Sequence, residues 1–229
     1  MIGIIGAMQV EIDELVPLIS NLETKKINNR TFYVGKIEKV DVVVVECGVG
    51  KVNASITTTM LLENFKVDFI INTGVAGGLG NIKPLDLVIG DKLVYHDFDI
   101  SALGYEKGVI PGYGKIFNTD SNIREIVESI AKENNISYKV GNIASGDIFA
   151  TNKDVINGLD MDISAIEMEG CAIAHAAKIY NIPFVSIRVI SDIIGEENQG
   201  TSFNMVEKKA SDYASLFVLK IIKKLVLTK

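Results

Sequence analysis

The feature that most constrains the fold is a set of short, almost wholly apolar segments that alternate with longer segments of helical periodicity. Ile2–Gly6 and residues 41–47, 68–73 and 183–190 are rich in valine and isoleucine. Strands that are apolar on both faces are typical of a mostly parallel sheet covered by helices on each side. The sequence therefore predicts an α/β fold.

The rest of the pattern predicts one domain over residues 1–229, without a linker or an internal repeat. Further strands are expected at residues 31–37, 85–95, Tyr138–Ser145 and 164–168, and helices at residues 8–20, 52–65, 123–134, 171–180 and 205–227. Residues 74–80 are expected to form a glycine-rich turn, and residues 97–118 and 193–202 to form loops over a site. In open α/β sheets, ligands bind beyond the carboxyl ends of the strands, so functional residues are expected there.

Composition excludes several classes of protein. The chain of 229 residues is 48% hydrophobic, which is too apolar for a disordered protein, and its net charge of −6 argues against nucleic-acid binding. Two cysteines and two histidines, widely spaced, support neither a disulfide scaffold nor a structural zinc site. Neither a signal peptide nor an apolar run of about 20 residues is apparent, so a cytoplasmic protein without a membrane partner is expected.

Three glycine patterns do not match phosphate-binding motifs. Gly48-Val-Gly50-Lys51 resembles the end of a phosphate loop, but Val45 and Val52 stand where that loop needs glycine and Ser or Thr. Gly3-Ile-Ile-Gly6 does not have the spacing of a dinucleotide fingerprint. The glycines at residues 74–80 also lack that spacing, although they could bring backbone close to a ligand.

Acidic residues lie where predicted strands end. Glu11 follows the first strand, where its carboxylate could act as a base or simply favour a helix N-terminus. Glu167 and Glu169 share one face at the end of another strand, and carboxylates buried there would need a partner such as a ligand rich in hydroxyl groups. The alternative is that these two glutamates are solvated or cap the next helix.

Three more residues could serve a site. Arg188 and Asp192 lie on an otherwise apolar strand, where two charges either face a ligand or reflect a buried arginine–carboxylate pair. Phe149 could stack on a planar ligand or be an ordinary core residue. Acidic groups at several strand ends, an aromatic ring and no metal-binding cluster suit a reaction that protonates a leaving group and stabilises a cation. His96 and His175 occur without the motif of a serine hydrolase, so a catalytic triad is not supported.

Six blocks of this sequence occur in a recognisable order: GIIGAMQVEI, NTGVAGGL, YHDFDISALGYEKGVIPG, SGDIFA, AIEMEGCAIAHAA and RVISD. Together they resemble the 5′-methylthioadenosine/S-adenosylhomocysteine nucleosidases of the nucleoside phosphorylase/hydrolase superfamily, over essentially the whole chain. The resemblance implies a three-layer α/β/α sandwich around a mixed, partly barrel-like central sheet. It also implies an N-glycosyl hydrolase without cofactor or metal, usually homodimeric.

The implied reaction is hydrolysis of the N-glycosidic bond of 5′-methylthioadenosine, S-adenosylhomocysteine and also 5′-deoxyadenosine. Adenine and a 5′-thio-substituted ribose are released from the two thionucleosides, in methionine salvage and S-adenosylhomocysteine recycling. By the resemblance, Asp192 is the general acid on N7 of adenine, Glu11 activates water and Glu169 holds the ribose hydroxyls. The negative charge of Glu169 would also favour a cationic transition state.

The resemblance also implies a set of binding residues. Arg188 supports the acidic cluster, Ser191 neighbours the acid, Phe149 stacks on adenine and the backbone of Ala150 bonds the purine edge. The remaining pocket residues would be Met8, Gly77, Met168 and Phe203. Residues that the neighbouring subunit would contribute, around the 5′-thio group, are Ile100, Leu103, Tyr105 and Pro111.

Three alternatives remain open. A purine nucleoside phosphorylase of the same fold would need a cradle for phosphate, whereas the segment around Glu11 has no Arg or Lys before Lys25 and its charge would repel an anion. A hydrolase of aminofutalosine would use the same adenine and ribose residues. A non-enzymatic nucleoside-binding protein would have no need for both an acid and a base.

Overall fold

The computed structural model describes residues 1–227. It contains four α-helices, α1 Lys51–Asn64, α2 Ser121–Glu133, α3 Gly170–Ile179 and α4 Gln199–Leu227. The strands are β1 Ile2–Gly6, β2 Ser20–Ile27, β3 Arg30–Ile37, β4 Val40–Glu46, β5 Phe69–Gly78, β6 Leu87–Tyr95, β7 Phe117–Asn118, β8 Tyr138–Ser145, β9 Ile163–Glu167 and β10 Phe184–Ile193. Short 3-10 helices cover Gln9–Glu11, Val16–Leu18, Ser101–Leu103 and Lys153–Ile156.

The strands form one mixed sheet that closes on itself. Its main order is β10-β6-β8-β9-β5-β1-β4-β3-β2, and β10 pairs a second time with β5. This second pairing makes a ring of five strands, β10, β6, β8, β9 and β5, from which β1 to β4 extend as an open sheet. The mixed, partly barrel-like sheet predicted from the resemblance is thus confirmed.

Helices cover the sheet on both sides. Helices α1 and α3 pack against each other, and residues of both join one apolar cluster. Helix α2 packs against α4, and residues of both join a second apolar cluster. Buried strands between two helical layers explain why their sequences are apolar on both faces.

The segment after β1 differs from the prediction. Residues 8–20 were expected to form an α-helix, but they form two 3-10 helices, and Ser20 already belongs to β2. Pro17 lies in the second of these 3-10 helices and has no N–H for an α-helical hydrogen bond. Strand β2, an exposed edge strand with the sequence SNLETKKI, was missed because it shows no apolar face.

The glycine-rich segment also differs from the prediction. Residues 74–80 were expected to be a turn, but β5 continues to Gly78 and pairs with β10. A Cβ atom at Gly74 would overlap Glu11 and Arg188, and one at Gly78 would crowd Ile82 and Ile190. These glycines are therefore required by close packing within a strand rather than by a turn.

Within residues 1–227, no helix is both long enough and apolar enough to span a bilayer.

Candidate active site

A pocket lies where β1, β5, β9 and β10 meet the segment after β8. Strand register brings these elements together, because Gly77 pairs with both Asp192 and Ile166, and Ser145 pairs with Glu167. The pocket is lined by Ala7, Met8, Glu11, Val49, Val75, Ala76, Gly77, Ile148, Phe149, Ala150, Ile166, Glu167, Met168, Glu169, Arg188, Ser191, Asp192, Ile194, Gln199 and Phe203. All eleven residues predicted for the pocket of one chain are among them.

Glu11 ends the first 3-10 helix and is 1% exposed. Its Oε2 accepts the N–H groups of Ala7 at 2.6 Å and Met8 at 3.0 Å, and its Oε1 accepts the N–H of Val75 at 2.9 Å. Burial raises the pKa of the Glu11 carboxyl, while Arg188 and the three N–H groups oppose that rise. The side chain is thus a buried carboxyl held in a fixed orientation, as a base for a bound water would need to be.

Arg188 pairs with Glu167. The Arg188 guanidinium donates through Nη2 to Oε2 of Glu167 and, at 2.7 Å, to Oδ1 of Asn72. The alternative of a buried arginine–carboxylate pair is therefore confirmed for Arg188, with Glu167 as its partner. Asp192 lies four residues farther along the same strand, about 13 Å away, and accepts hydrogen bonds from Ser191 and Gln199 instead.

Glu167 and Glu169 are both buried, so the solvated alternative is wrong for both. Glu167 accepts the N–H groups of Glu169 at 3.1 Å and Gly170 at 2.7 Å, where α3 begins, and a hydrogen bond from Ser145. Capping of the next helix is therefore confirmed for Glu167.

Glu169 has fewer partners than Glu167. Its Oε1 accepts the N–H of Gly50 at 2.8 Å, and its Oε2 lies 4.0 Å from Nη2 of Arg188. Burial, and next the charge of Glu167, raise the pKa of Glu169 to about 7, against the effect of Arg188. Glu169 also lines the pocket, so its carboxyl is available to a ligand.

Asp192, near the end of β10, is 1% exposed. Its Oδ1 accepts the hydroxyl of Ser191 at 2.6 Å, and its Oδ2 accepts Nε2 of Gln199 at 2.7 Å. The same Nε2 donates to the carbonyl oxygen of Ala150 at 2.8 Å. Asp192, Glu11 and Glu169 thus reach one pocket from three separate parts of the chain.

The apolar part of the pocket includes two aromatic rings. Phe149 is 45% exposed, which excludes the alternative of an ordinary core residue. Its ring meets that of Phe203 edge-on, with centroids 5.6 Å apart and an interplanar angle of 79°. Met8 and Met168 are half-buried, and Ala150 is buried. This wall could hold a flat heterocycle.

The four residues assigned to a neighbouring subunit do not line this pocket within one chain. Leu103 is 74% exposed, Tyr105 and Pro111 are exposed, and Ile100 is half-buried. Their segment carries apolar side chains on the outside of the molecule.

Sequence reasoning missed several pocket residues. Most are apolar, such as Val49, Ile148 and Ile194, and the sequence does not distinguish apolar pocket residues from ordinary core residues. Gln199 is polar and was also missed, because a single glutamine in an irregular segment gives no sequence signal for a binding site. Its importance comes only from the two acceptors that it bridges.

Comparisons with known proteins agree with this architecture. The sequence profile of the phosphorylase superfamily matches residues 1–223. A 5′-methylthioadenosine/S-adenosylhomocysteine nucleosidase of Haemophilus influenzae is 39% identical over 228 residues, covering 98% of this chain and 99% of that protein.

Two solved structures share the whole fold. The 5′-methylthioadenosine/S-adenosylhomocysteine nucleosidase of Neisseria meningitidis, in complex with methylthio-immucillin-A, has a TM-score of 0.93 and 32% identity over 97% of this chain and 98% of that one. A futalosine hydrolase of Helicobacter pylori has a TM-score of 0.92 and 30% identity over 97% of both chains. The chain therefore belongs to the phosphorylase superfamily and, within it, to the family of 5′-methylthioadenosine/S-adenosylhomocysteine nucleosidases.

Proposed function

We propose that this protein hydrolyses the N-glycosidic bond of 5′-methylthioadenosine and S-adenosylhomocysteine, and also that of 5′-deoxyadenosine. The observation that carries the proposal is the convergence of Glu11, Glu169 and Asp192 on one pocket beside the exposed ring of Phe149. The names of the relatives support the same reaction.

In this mechanism, the bond between C1′ of the ribose and N9 of adenine breaks and its electron pair stays with adenine. Asp192 gives a proton to N7, so that the base leaves as neutral adenine. Water adds its oxygen to C1′, and Glu11 accepts the proton that the water loses. Glu169 accepts hydrogen bonds from the ribose hydroxyls, and its charge stabilises the positive charge that develops on the sugar.

Each role has support in local geometry. Three N–H groups hold Glu11 in place, as a group that orients water requires. Nε2 of Gln199 donates to both Asp192 and the backbone carbonyl of Ala150, so these two acceptors face the same space. Phe149, Met8 and Phe203 would pack around the base, Met168 would contact the ribose, and Gly77 and Ser191 would complete the wall near the acid.

Water rather than phosphate is the proposed nucleophile. Glu11 would repel a phosphate ion at that end of the pocket, and Arg188 is already engaged by Glu167 and Asn72. Hydrolysis of futalosine-type nucleosides is a second candidate, because a futalosine hydrolase shares the fold at 30% identity.

A homodimer is proposed to complete the site. Val49, Val52 and Ile56, at the start of α1, are exposed apolar residues, and Val49 also lines the pocket. The segment with Ile100, Leu103, Tyr105 and Pro111 offers an apolar surface that a second copy could bring to the 5′ end of the substrate. Location in the cytoplasm stays a prediction from the sequence.

A product assay tests the proposed reaction. The purified protein is incubated with 5′-methylthioadenosine, with and without phosphate, and adenine, free sugar and sugar phosphate are quantified. Adenine and free methylthioribose, in amounts independent of phosphate, are expected. Sugar phosphate formed only in the presence of phosphate would reject the role of Glu11. The futalosine-type substrate is tested in parallel, and its preferential cleavage would favour the second candidate.

A further inference from the structure

The side-chain amide of Gln199 lies in the part of the pocket assigned to the base. Gln199 is the first residue of α4 and is 5% exposed. Its Nε2 donates to Oδ2 of Asp192 at 2.7 Å and to the carbonyl oxygen of Ala150 at 2.8 Å, while its Oε1 accepts the N–H of Gly195 at 3.2 Å. Because both partners of Nε2 are acceptors and the partner of Oε1 is a donor, the orientation of the amide is fixed.

These two acceptors are the groups that the proposed function assigns to adenine. Asp192 faces N7, and the backbone of Ala150 faces the adjacent edge of the purine. The exocyclic amino group of adenine sits next to N7 and carries two N–H donors, as Nε2 of Gln199 does. A single NH2 group of the protein therefore makes the pair of hydrogen bonds that the 6-amino group of adenine would make.

We propose that Gln199 is a placeholder for the 6-amino group of adenine, which occupies the base subsite of the free enzyme and must leave before a nucleoside binds. The inference rests on the proposed function, because the position of the base is taken from it. It assigns to Gln199 the role of a residue that lowers substrate affinity while keeping two buried acceptors satisfied.

A ligand can bind only those molecules in which Gln199 has left the subsite. The apparent affinity is therefore the intrinsic affinity multiplied by the fraction of such molecules. A net intramolecular hydrogen bond changes an equilibrium constant by about fivefold. Removing Gln199 should therefore tighten adenine binding by about fivefold or more, since the ligand no longer displaces it. The free protein should become less stable at the same time, because Asp192 and Ala150 each lose a buried donor.

The test is a calorimetric titration of free adenine into wild type, Gln199→Ala and the control Thr201→Ala. Thr201 is exposed in the same first turn of α4. Expected are a lower Kd in Gln199→Ala, an unchanged Kd in Thr201→Ala, and a larger rise of Tm on adding adenine in Gln199→Ala. An equal or weaker affinity in Gln199→Ala would overturn the proposal, because Gln199 would then be neutral or would help to hold the base.

A measurement on the wild type decides the matter if the variant does not fold. The side-chain amide protons of Gln199 should exchange slowly with solvent in the free protein and faster when adenine is bound. Unchanged exchange would overturn the inference. Neither experiment needs turnover, so a protein that binds adenine but cleaves no nucleoside would refute the proposed function while still giving a result for Gln199.

Discussion

The carboxyl groups of Glu167 and Glu169 differ in how fully they are engaged, although one residue separates them. Glu167 accepts hydrogen bonds from Ser145, Arg188 and the backbone at the start of α3. Glu169 accepts one N–H, from Gly50, and its Oε2 lies 4.0 Å from Arg188. Glu167 is therefore saturated by the protein, and Glu169 keeps capacity to accept hydrogen bonds from a ligand.

This arrangement predicts a pH dependence that Glu167 controls. In the proposed mechanism Glu169 is ionised when it accepts the ribose hydroxyls, and burial together with Glu167 raises its pKa to about 7. The wild-type kcat/KM should therefore fall as the pH drops below about 7. The other charged groups that act on Glu169, namely Arg188 and Glu11, are the same in a Glu167 variant.

Glu167→Gln should move this acidic limb to lower pH, because a negative charge beside Glu169 is removed. The measurement is kcat/KM for 5′-methylthioadenosine from about pH 5 to 9. Glu125→Gln, which removes an exposed carboxylate on α2, is the matched control and should leave the limb in place. An acidic limb that stays fixed in Glu167→Gln would show that Glu169 does not govern it.

Much of the candidate site could be predicted from sequence because its acidic residues lie next to apolar strands. Glu11, Glu169 and Asp192 each lie at or just beyond such a strand, where a buried charge needs a partner. Their convergence was expected at the carboxyl ends of a mostly parallel sheet, but the observed sheet is mixed, and β9 meets β5 in antiparallel pairing beside the pocket. The resemblance to a known family supplied the individual roles, which local pattern does not provide.

What could not be predicted depends on contacts between distant segments. A buried arginine–carboxylate pair was an expected alternative for Arg188, but its partner could not be identified, because Glu167 lies 21 residues away on a different strand. Gly74–Gly78 gave the local signal of a turn, although the packing of Glu11 and Arg188 against Gly74 requires glycine within a strand. The closure of the sheet by β10 and β5 likewise has no signature in either strand alone.

Gly74→Ala tests this packing. The new Cβ would overlap the Glu11 carboxyl and the Arg188 guanidinium, so a loss of about 2 kcal/mol in unfolding free energy and a strong loss of turnover are expected. The control is Gly80→Ala, where φ is +76° but no atom lies within 4 Å of the added Cβ. Backbone strain alone should cost about 1 kcal/mol there, with turnover preserved. Equal losses of turnover in the two variants, measured beside urea unfolding, would contradict the packing argument.

Asp192→Asn tests the acid. Asparagine can still accept from Ser191 or Gln199, but it has no acidic proton for N7 of the leaving base. Turnover of 5′-methylthioadenosine should fall by about 10²- to 10⁴-fold, which single-turnover assays can measure. Adenine should still bind, as calorimetry can verify. Retention of most of the turnover would remove Asp192 from the mechanism.

Glu11→Ala offers a sharper test of the nucleophile. The substitution frees three N–H groups, of Ala7, Met8 and Val75, that converge on the former carboxylate position. Converging backbone N–H groups form a binding site for anions.

Hydrolysis should fall by about 10²- to 10⁴-fold, because water is no longer deprotonated. Azide, an anionic nucleophile that needs no base, should bind there and restore adenine release as ribosyl azide forms. In Asp192→Asn, where the missing group is the acid, azide should restore nothing. Rescue of both variants, or of neither, would reject this division of roles between Glu11 and Asp192.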